Sequence, residues 1–164
     1  MTAIDKLKEY LASHDVEVWE YVEPTATAAA AAAAVGCRVA EIAKTLLFLV
    51  GGVPVVVVTC GDMKVKSSRL KQAAGLSGKV KLPLKDEVLG FTGYAPGGVC
   101  PFLLPPDLPL FLDSSLQRFP TVYAAAGNSY SAVPVTMIQL ERLTGGRVVD
   151  LCDPIPEKLI NPDE

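Results

Sequence analysis

The stretch Thr45-Leu46-Leu47-Phe48-Leu49-Val50, Gly51-Gly52, Val53-Pro54-Val55-Val56-Val57-Val58-Thr59-Cys60 decides the fold. Two apolar, β-branched runs flank a Gly-Gly pair, the pattern of a buried hairpin whose tight turn needs positive φ. Pro54 stands at the start of the second run, where a missing N–H costs least. The run is too interrupted to cross a membrane, since Gly51, Gly52 and Pro54 break any helix of the required length. Just before it comes Lys44, between Ile42-Ala43 and Leu46-Leu47-Phe48. An ammonium in such company needs a hydrogen-bonding or anionic partner.

Outward from the hairpin, helical and strand signals interleave. Ile4–Ser13 has helical spacing, and Val16–Val22 alternates as a strand ended by Pro24. Thr25 or Thr27 can cap a helix through the seven alanines Ala28–Ala34, which Gly36 stops. Alanine favours helix and permits close approach, so this low-complexity run reads as a packed helix and not as a linker. Val39–Ala43 reads as a helical turn leading into the first hairpin strand. Further helices are expected at Ser67–Ala74, Lys85–Leu89 (ended by Gly90) and Met137–Leu143. Further strands are expected at Lys79–Leu82, Leu110–Asp113, Thr121–Ala125, Ala132–Thr136 and Val148–Cys152.

The rhythm is not that of repeated βαβ units, and neither GxGxxG nor GxxxxGK[ST] occurs. The expectation is one α+β domain over residues 1–153, with a mixed, strongly curved, barrel-like sheet flanked by helices. Residues 154–164 are expected to form a loosely ordered tail.

Composition narrows the chemistry. His14 is the only histidine, and Cys37, Cys60, Cys100 and Cys152 form no CxxC pair. Zinc and thioredoxin-type sites need closer spacing, and Ser-His-Asp or Cys-His catalysis needs an imidazole at the nucleophile. No metal and no cofactor are expected. The N-terminus is amphipathic and carries acids, unlike a signal peptide, so a cytoplasmic address is expected. A net charge of −3 argues against a long phosphate track such as duplex DNA. Seven of the fifteen basic residues nevertheless fall between Lys64 and Lys85 without an acid among them. Such a run is a solvated face or a device for steering an anionic ligand.

Two elements can carry chemistry. One is Lys44, able to meet a phosphate or a developing oxyanion. The other is the loop Tyr94–Pro101, where Gly97 and Gly98 let backbone approach a ligand and Pro101 stiffens the exit. Cys100 lies within this loop, but it lacks a histidine to activate it.

Three segments then recur in order: Ile42-Ala43-Lys44-Thr45-Leu46-Leu47-Phe48, Thr59-Cys60-Gly61-Asp62, and Thr92-Gly93-Tyr94-Ala95-Pro96-Gly97-Gly98-Val99-Cys100-Pro101. Leu110–Asp113 and Val122–Gly127 follow them. From about Val18 to Val149 the chain resembles the YbaK/prolyl-tRNA-synthetase-associated editing domain family. The resemblance implies a freestanding aminoacyl-tRNA deacylase, a metal-free ester hydrolase acting at the 3′ end of mischarged tRNA. Its partners are then the aminoacyl-tRNA 3′ end and, as a second candidate, an aminoacyl-tRNA synthetase.

On this resemblance Lys44 matches the essential lysine and Gly97–Pro101 the substrate-positioning loop. Lys44 and Gly98 take catalytic roles, while Tyr21, Thr45, Gly97, Val99, Cys100, Pro101 and Gly127 contact substrate. Members acting on cysteinyl-tRNA carry serine at the position of Ala125 and aspartate near Ala132, so the resemblance does not carry cysteine specificity to this chain, and the amino acid removed stays open, a small one such as alanine being one candidate. The alternative function is a non-catalytic module of the same fold that binds a tRNA end, a nucleotide or a synthetase.

Overall fold

The computed structural model describes residues 2–160. In chain order the elements are α1 (Ala3–Ala12), β1 (Trp19–Glu20), α2 (Ala28–Val35), a 3-10 turn (Val39–Glu41), β2 (Ala43–Val50), β3 (Val53–Cys60), β4 (Met63–Val65), α3 (Ser67–Ala74), β5 (Val80–Lys81), α4 (Lys85–Thr92), β6 (Leu110–Asp113), a second 3-10 turn (Ser114–Arg118), β7 (Val122–Ala124), β8 (Ser131–Val135), α5 (Met137–Thr144), β9 (Arg147–Val149), β10 (Cys152–Pro154) and α6 (Glu157–Ile160). Among the described residues no helix is long and apolar enough to cross a membrane.

The hairpin forms as its residues dictate. β2 and β3 pair antiparallel over their whole length, from Ala43 opposite Cys60 to Val50 opposite Val53. Gly51 and Gly52 both have positive φ, the two-residue turn that matches strand twist. β6 joins β3 in parallel, β9 joins β6 in parallel, and β5 adds to β2 antiparallel, giving the order β5-β2-β3-β6-β9. Val55, Val56, Val57 and Val58 are all fully buried, because this central strand is covered on both faces. The alanine helix α2 is capped by the Thr27 hydroxyl and ended by Gly36 at φ 83°. Its small side chains pack beside Ile42 and Tyr123.

The expected mixed sheet is present, but the barrel-like curvature is not. The strands divide among three sheets: the five-stranded one, an antiparallel β1-β8-β7 sheet and the β4-β10 pair. Among the described residues no sheet closes on itself. The physical reason lies on β2, whose outer edge pairs with β5 only at Leu49 and Val50. At its start a single parallel bridge from Ile42 to Tyr123 touches the second sheet. Between these points the edge is left open.

Smaller departures have local causes. α4 continues through Gly90 to Thr92 and ends at Gly93 (φ 79°), whose N–H reaches the Leu89 carbonyl. The Val16–Val22 alternation yields pairing only at Trp19 and Glu20, opposite Ala132 and Ser131. Val148–Cys152 is split: β9 follows β6, whereas Cys152–Pro154 crosses to pair with β4. Past Pro154 the chain forms α6, and Asn161–Glu164 lie outside the described residues.

A buried polar cluster locks the ends of the parallel strands. Asp113, only 1% exposed, accepts hydrogen bonds from the Thr59 hydroxyl (3.2 Å), the Ser115 N–H (3.2 Å) and hydroxyl, and the Leu151 N–H (2.8 Å). The Cys152 thiol donates to Thr59 at 3.3 Å. Every donor there has a partner, as a buried carboxylate requires.

Candidate active site

A cavity of about 280 Å³ opens where β2 begins. Ile42–Leu46 form one wall, the Thr25–Thr27 turn and α2 a second, and Tyr123–Ala125 with Ser131 and Ala132 a third. Gly97 and Val99 contribute from the glycine-proline loop. Much of the lining is alanine, including Ala28, Ala31, Ala124, Ala125 and Ala132. The alanine-rich helix thus has a geometric consequence: it comes close to the sheet and still leaves room for a small ligand. Because Ala125 and Ala132 both line this space, neither offers a side-chain hydrogen bond to its occupant.

Lys44 is the second residue of β2, in register with Thr59. Among the described residues it forms no ion pair. Burial lowers its pKa below the ordinary 10.5, while Cys152, Asp62 and Cys60 act in the opposite sense. Asp62 is already held by Arg118, through contacts of 2.7 and 3.1 Å, so it is not free to pair with Lys44. Beside Lys44, the Thr45 hydroxyl is buried without any hydrogen-bond partner.

The strand edge adds main-chain groups. The Gly61 N–H bonds to the Ile42 carbonyl at 2.8 Å, and this sets the alternation along β2. Lys44 and Leu46 therefore bond to β3, whereas Thr45 turns its N–H and C=O to the open edge. A half-buried cation and an open peptide edge meet at one cavity, while the Thr45 side chain, next to Lys44 on the strand, projects to the opposite face. Unsatisfied buried groups of this kind are rare in proteins and call for a ligand or water.

The structure divides the remaining residues singled out from sequence. Gly97 (φ 88°) and Val99 line the cavity with Lys44 and Thr45. Gly98 does not; it packs on Gly127 and Asn128, where an added Cβ would lie 2.8 Å from backbone atoms. Gly127 (φ 84°) packs against Leu7 and Tyr94, so it holds the loop from behind. Cys100 is fully buried, and burial pushes its thiol up to about 11, which keeps it protonated and unreactive at neutral pH. Pro101 lines a separate cleft with Tyr10 and Leu143. Tyr21 lies beside the cavity and not in its wall, its N–H bonded to the Tyr130 carbonyl at 2.9 Å.

Sequence reasoning missed Thr25, Tyr123 and Ser131. The Thr25 hydroxyl donates to the Ser131 carbonyl (3.1 Å) and accepts from the Ser131 N–H (3.0 Å), while the Ser131 hydroxyl accepts from the Ala126 N–H (3.1 Å). These bonds fasten two cavity walls together across 106 residues of chain, a separation no local pattern announces. His14 stays at the end of α1, exposed, with Nδ1 2.9 Å from the Tyr10 carbonyl. Among the described residues no three His, Cys, Asp or Glu side chains cluster as a metal site.

The model of the aminoacyl-tRNA editing domain matches residues 22–143, most of the chain and every wall of this cavity. The chain belongs to that family. Its sequence is 37% identical over 138 residues to the uncharacterized Bacillus subtilis (strain 168) protein YwhH, covering 83% of this chain and 87% of that one. Among solved structures, a protein described as a candidate trans-editing enzyme for prolyl-tRNA synthetase superposes with a TM-score of 0.82. It is 31% identical, over 93% of this chain and 98% of its own. The hypothetical protein APE2540 superposes with a TM-score of 0.81 at 32% identity, over 90% of this chain and 99% of its own. The matched span contains all of the residues that line the Lys44 cavity.

Proposed function

We propose that this editing-family domain, taken as residues 1–153, is a trans-acting aminoacyl-tRNA deacylase whose reaction takes place in the Lys44 cavity. The observation that carries the reading is the half-buried Lys44 ammonium, without an ion-pair partner among the described residues, beside the open peptide edge of Thr45. The substrate is the ester between a small amino acid and the 3′-terminal ribose of tRNA, and the work is cytoplasmic. Water attacks the carbonyl carbon, the bond to the ribose oxygen breaks, and that oxygen leaves with a proton. The products are a free amino acid and an uncharged 3′ end.

An aminoacyl ester is already activated, so positioning and charge stabilisation are sufficient without an enzyme nucleophile. Lys44 supplies the positive charge, either to the terminal phosphate in the bound state or to the carbonyl oxygen as it becomes anionic. The open Thr45 peptide edge orients the amino acid. Gly98, by fitting against Gly127 and Asn128, holds Gly97 and Val99 at the cavity rim. The alanine lining favours a small aliphatic side chain over one that seeks a hydrogen bond.

The test is a deacylation screen of alanyl-, cysteinyl-, seryl- and threonyl-tRNA with the wild type and Lys44→Ala. The expected result is release of a small amino acid, lost in the variant. If Lys44 grips phosphate, the loss falls mainly on KM; if it meets the oxyanion, it falls on kcat. Binding of tRNA with no turnover of any ester would replace this reading with that of a binding module.

A further inference from the structure

Trp19 is the single tryptophan of the chain, and it belongs to neither buried apolar cluster. It sits on β1 opposite Ala132, a residue of the cavity wall. Tyr123, on β7, is opposite Pro134 and also lines the cavity. Directly paired residues of antiparallel strands share a face, as do residues two apart on one strand. Trp19, Ala132, Pro134 and Tyr123 therefore stand on one face of the β1-β8-β7 sheet. Across the small Ala132, the two rings meet with centroids 5.8 Å apart at 36°. Both are half-buried, so an aromatic bracket remains partly open at the rim of the cavity.

The surroundings select what can lie on it. The Glu17 carboxylate accepts from the Trp19 indole N–H at 3.4 Å, and Glu20 on the same strand is tied to Lys8 at 2.6 Å. The Glu17 carboxylate beside the indole repels phosphate, so the bracket suits a neutral, flat ring and not a nucleic-acid backbone. A tryptophan left out of the core beside a cavity lined by the Lys44 ammonium fits a nucleotide bound in two parts. The charged part meets Lys44, and the base meets the rings.

We propose that the Trp19–Tyr123 pair stacks a nucleobase of the single-stranded 3′ end whose aminoacyl ester enters the Lys44 cavity. The inference rests on the deacylase reading for the identity of the ligand. It requires no turnover, so the two can fail separately. Base stacking on an aromatic side chain tolerates any base and changes affinity about 5- to 150-fold per base.

The probe is an uncharged RNA oligonucleotide ending in CCA, with a twin abasic at its last two positions. Fluorescence of the lone Trp19 and anisotropy of a 5′-labelled strand are read in the same titration. Expected are saturable quenching by the CCA oligonucleotide and weaker binding without quenching by the abasic twin. Tyr123→Ala and Trp19→Ala should each weaken CCA binding at least fivefold by anisotropy, with Tyr123→Phe and Trp19→Phe close to wild type. The Phe variants also guard against loss by misfolding. Binding of the CCA strand without any change in Trp19 emission overturns the proposal, as does affinity within twofold of wild type in both Ala variants. No CCA binding up to millimolar concentration overturns it too. Quenching by CCA RNA together with no ester hydrolysis would uphold the stacking site and reject the deacylase.

Discussion

Two polar regions share the strand β3 and are built on opposite principles. At Asp113 a buried carboxylate meets four donors from the Thr59 and Ser115 side chains and from the Ser115 and Leu151 main chain. At Lys44, in register with that same Thr59, a half-buried ammonium has no ion-pair partner among the described residues, and the adjacent Thr45 hydroxyl has no hydrogen bond. A satisfied cluster adds rigidity and specifies how strands meet. An unsatisfied one carries a desolvation cost in the empty protein, which a ligand can offset. The comparison separates scaffold from site without reference to any relative: polar groups that the fold leaves unpaired are those that wait for something else.

The largest expected effect breaks the comparison at its functional side. Lys44→Ala should lower deacylation by about 10²- to 10³-fold, the scale for removing one preorganised charge-stabilising donor. Its thermal midpoint should stay at or slightly above that of the wild type, since a costly buried charge is removed. Calorimetry beside single-turnover assays checks both halves. At the other region the effects should reverse. Asp113→Ala leaves several buried donors unpaired, each costing roughly 1–3 kcal/mol, and should lower the urea midpoint clearly. Measured on the folded fraction, its kcat should change far less than that of Lys44→Ala.

The lowered Lys44 pKa has a sign that can be worked out. The native state holds this proton less tightly than the unfolded chain does, so the charged form works against folding at neutral pH. Stability from this group is regained as pH rises from the depressed native pKa toward 10.5. Deacylation corrected for spontaneous hydrolysis should decline on an alkaline limb below pH 10.5, and Lys44→Arg should lack that limb because guanidinium stays charged. The smallest effect is expected at Thr45→Val. It removes a buried hydroxyl with no hydrogen-bond partner among the described residues, so stability should rise by about 1 kcal/mol.

Much of the fold was legible because its signals are local. The Gly51-Gly52 turn, the Thr27 cap and the Gly36 stop each act within a few residues, and the hairpin and α2 formed where those residues put them. Sheet curvature was not legible. It depends on whether β2's outer edge recruits a full partner, and β5 reaches only Leu49 and Val50. Helix α4 overran Gly90 because glycine in a helix costs only about 1 kcal/mol; at Gly93 positive φ ends it. Of the residues singled out from sequence, only some come together in the structure. Lys44, Thr45, Gly97 and Val99 meet at the cavity, whereas Cys100 and Pro101 face away and Gly98 works from behind. Sequence marks a loop as able to approach a ligand, but which of its residues do so depends on packing against Gly127 and Asn128. Tyr123 falls within the Val122–Gly127 segment of the resemblance, but nothing local marked its place or that of Ser131 in the cavity wall, where strand pairing puts both.

The proposal that Lys44 makes this cavity hydrolytic rests on an ammonium with no ion-pair partner among the described residues. Its most direct test is the single-turnover deacylation rate on the best mischarged tRNA of the screen, with wild type, Lys44→Ala and Lys44→Arg at equal folded concentration. The account predicts a wild-type rate well above spontaneous hydrolysis, near-background rates in Lys44→Ala, and partial recovery in Lys44→Arg. A Lys44→Ala rate equal to that of the wild type would contradict it.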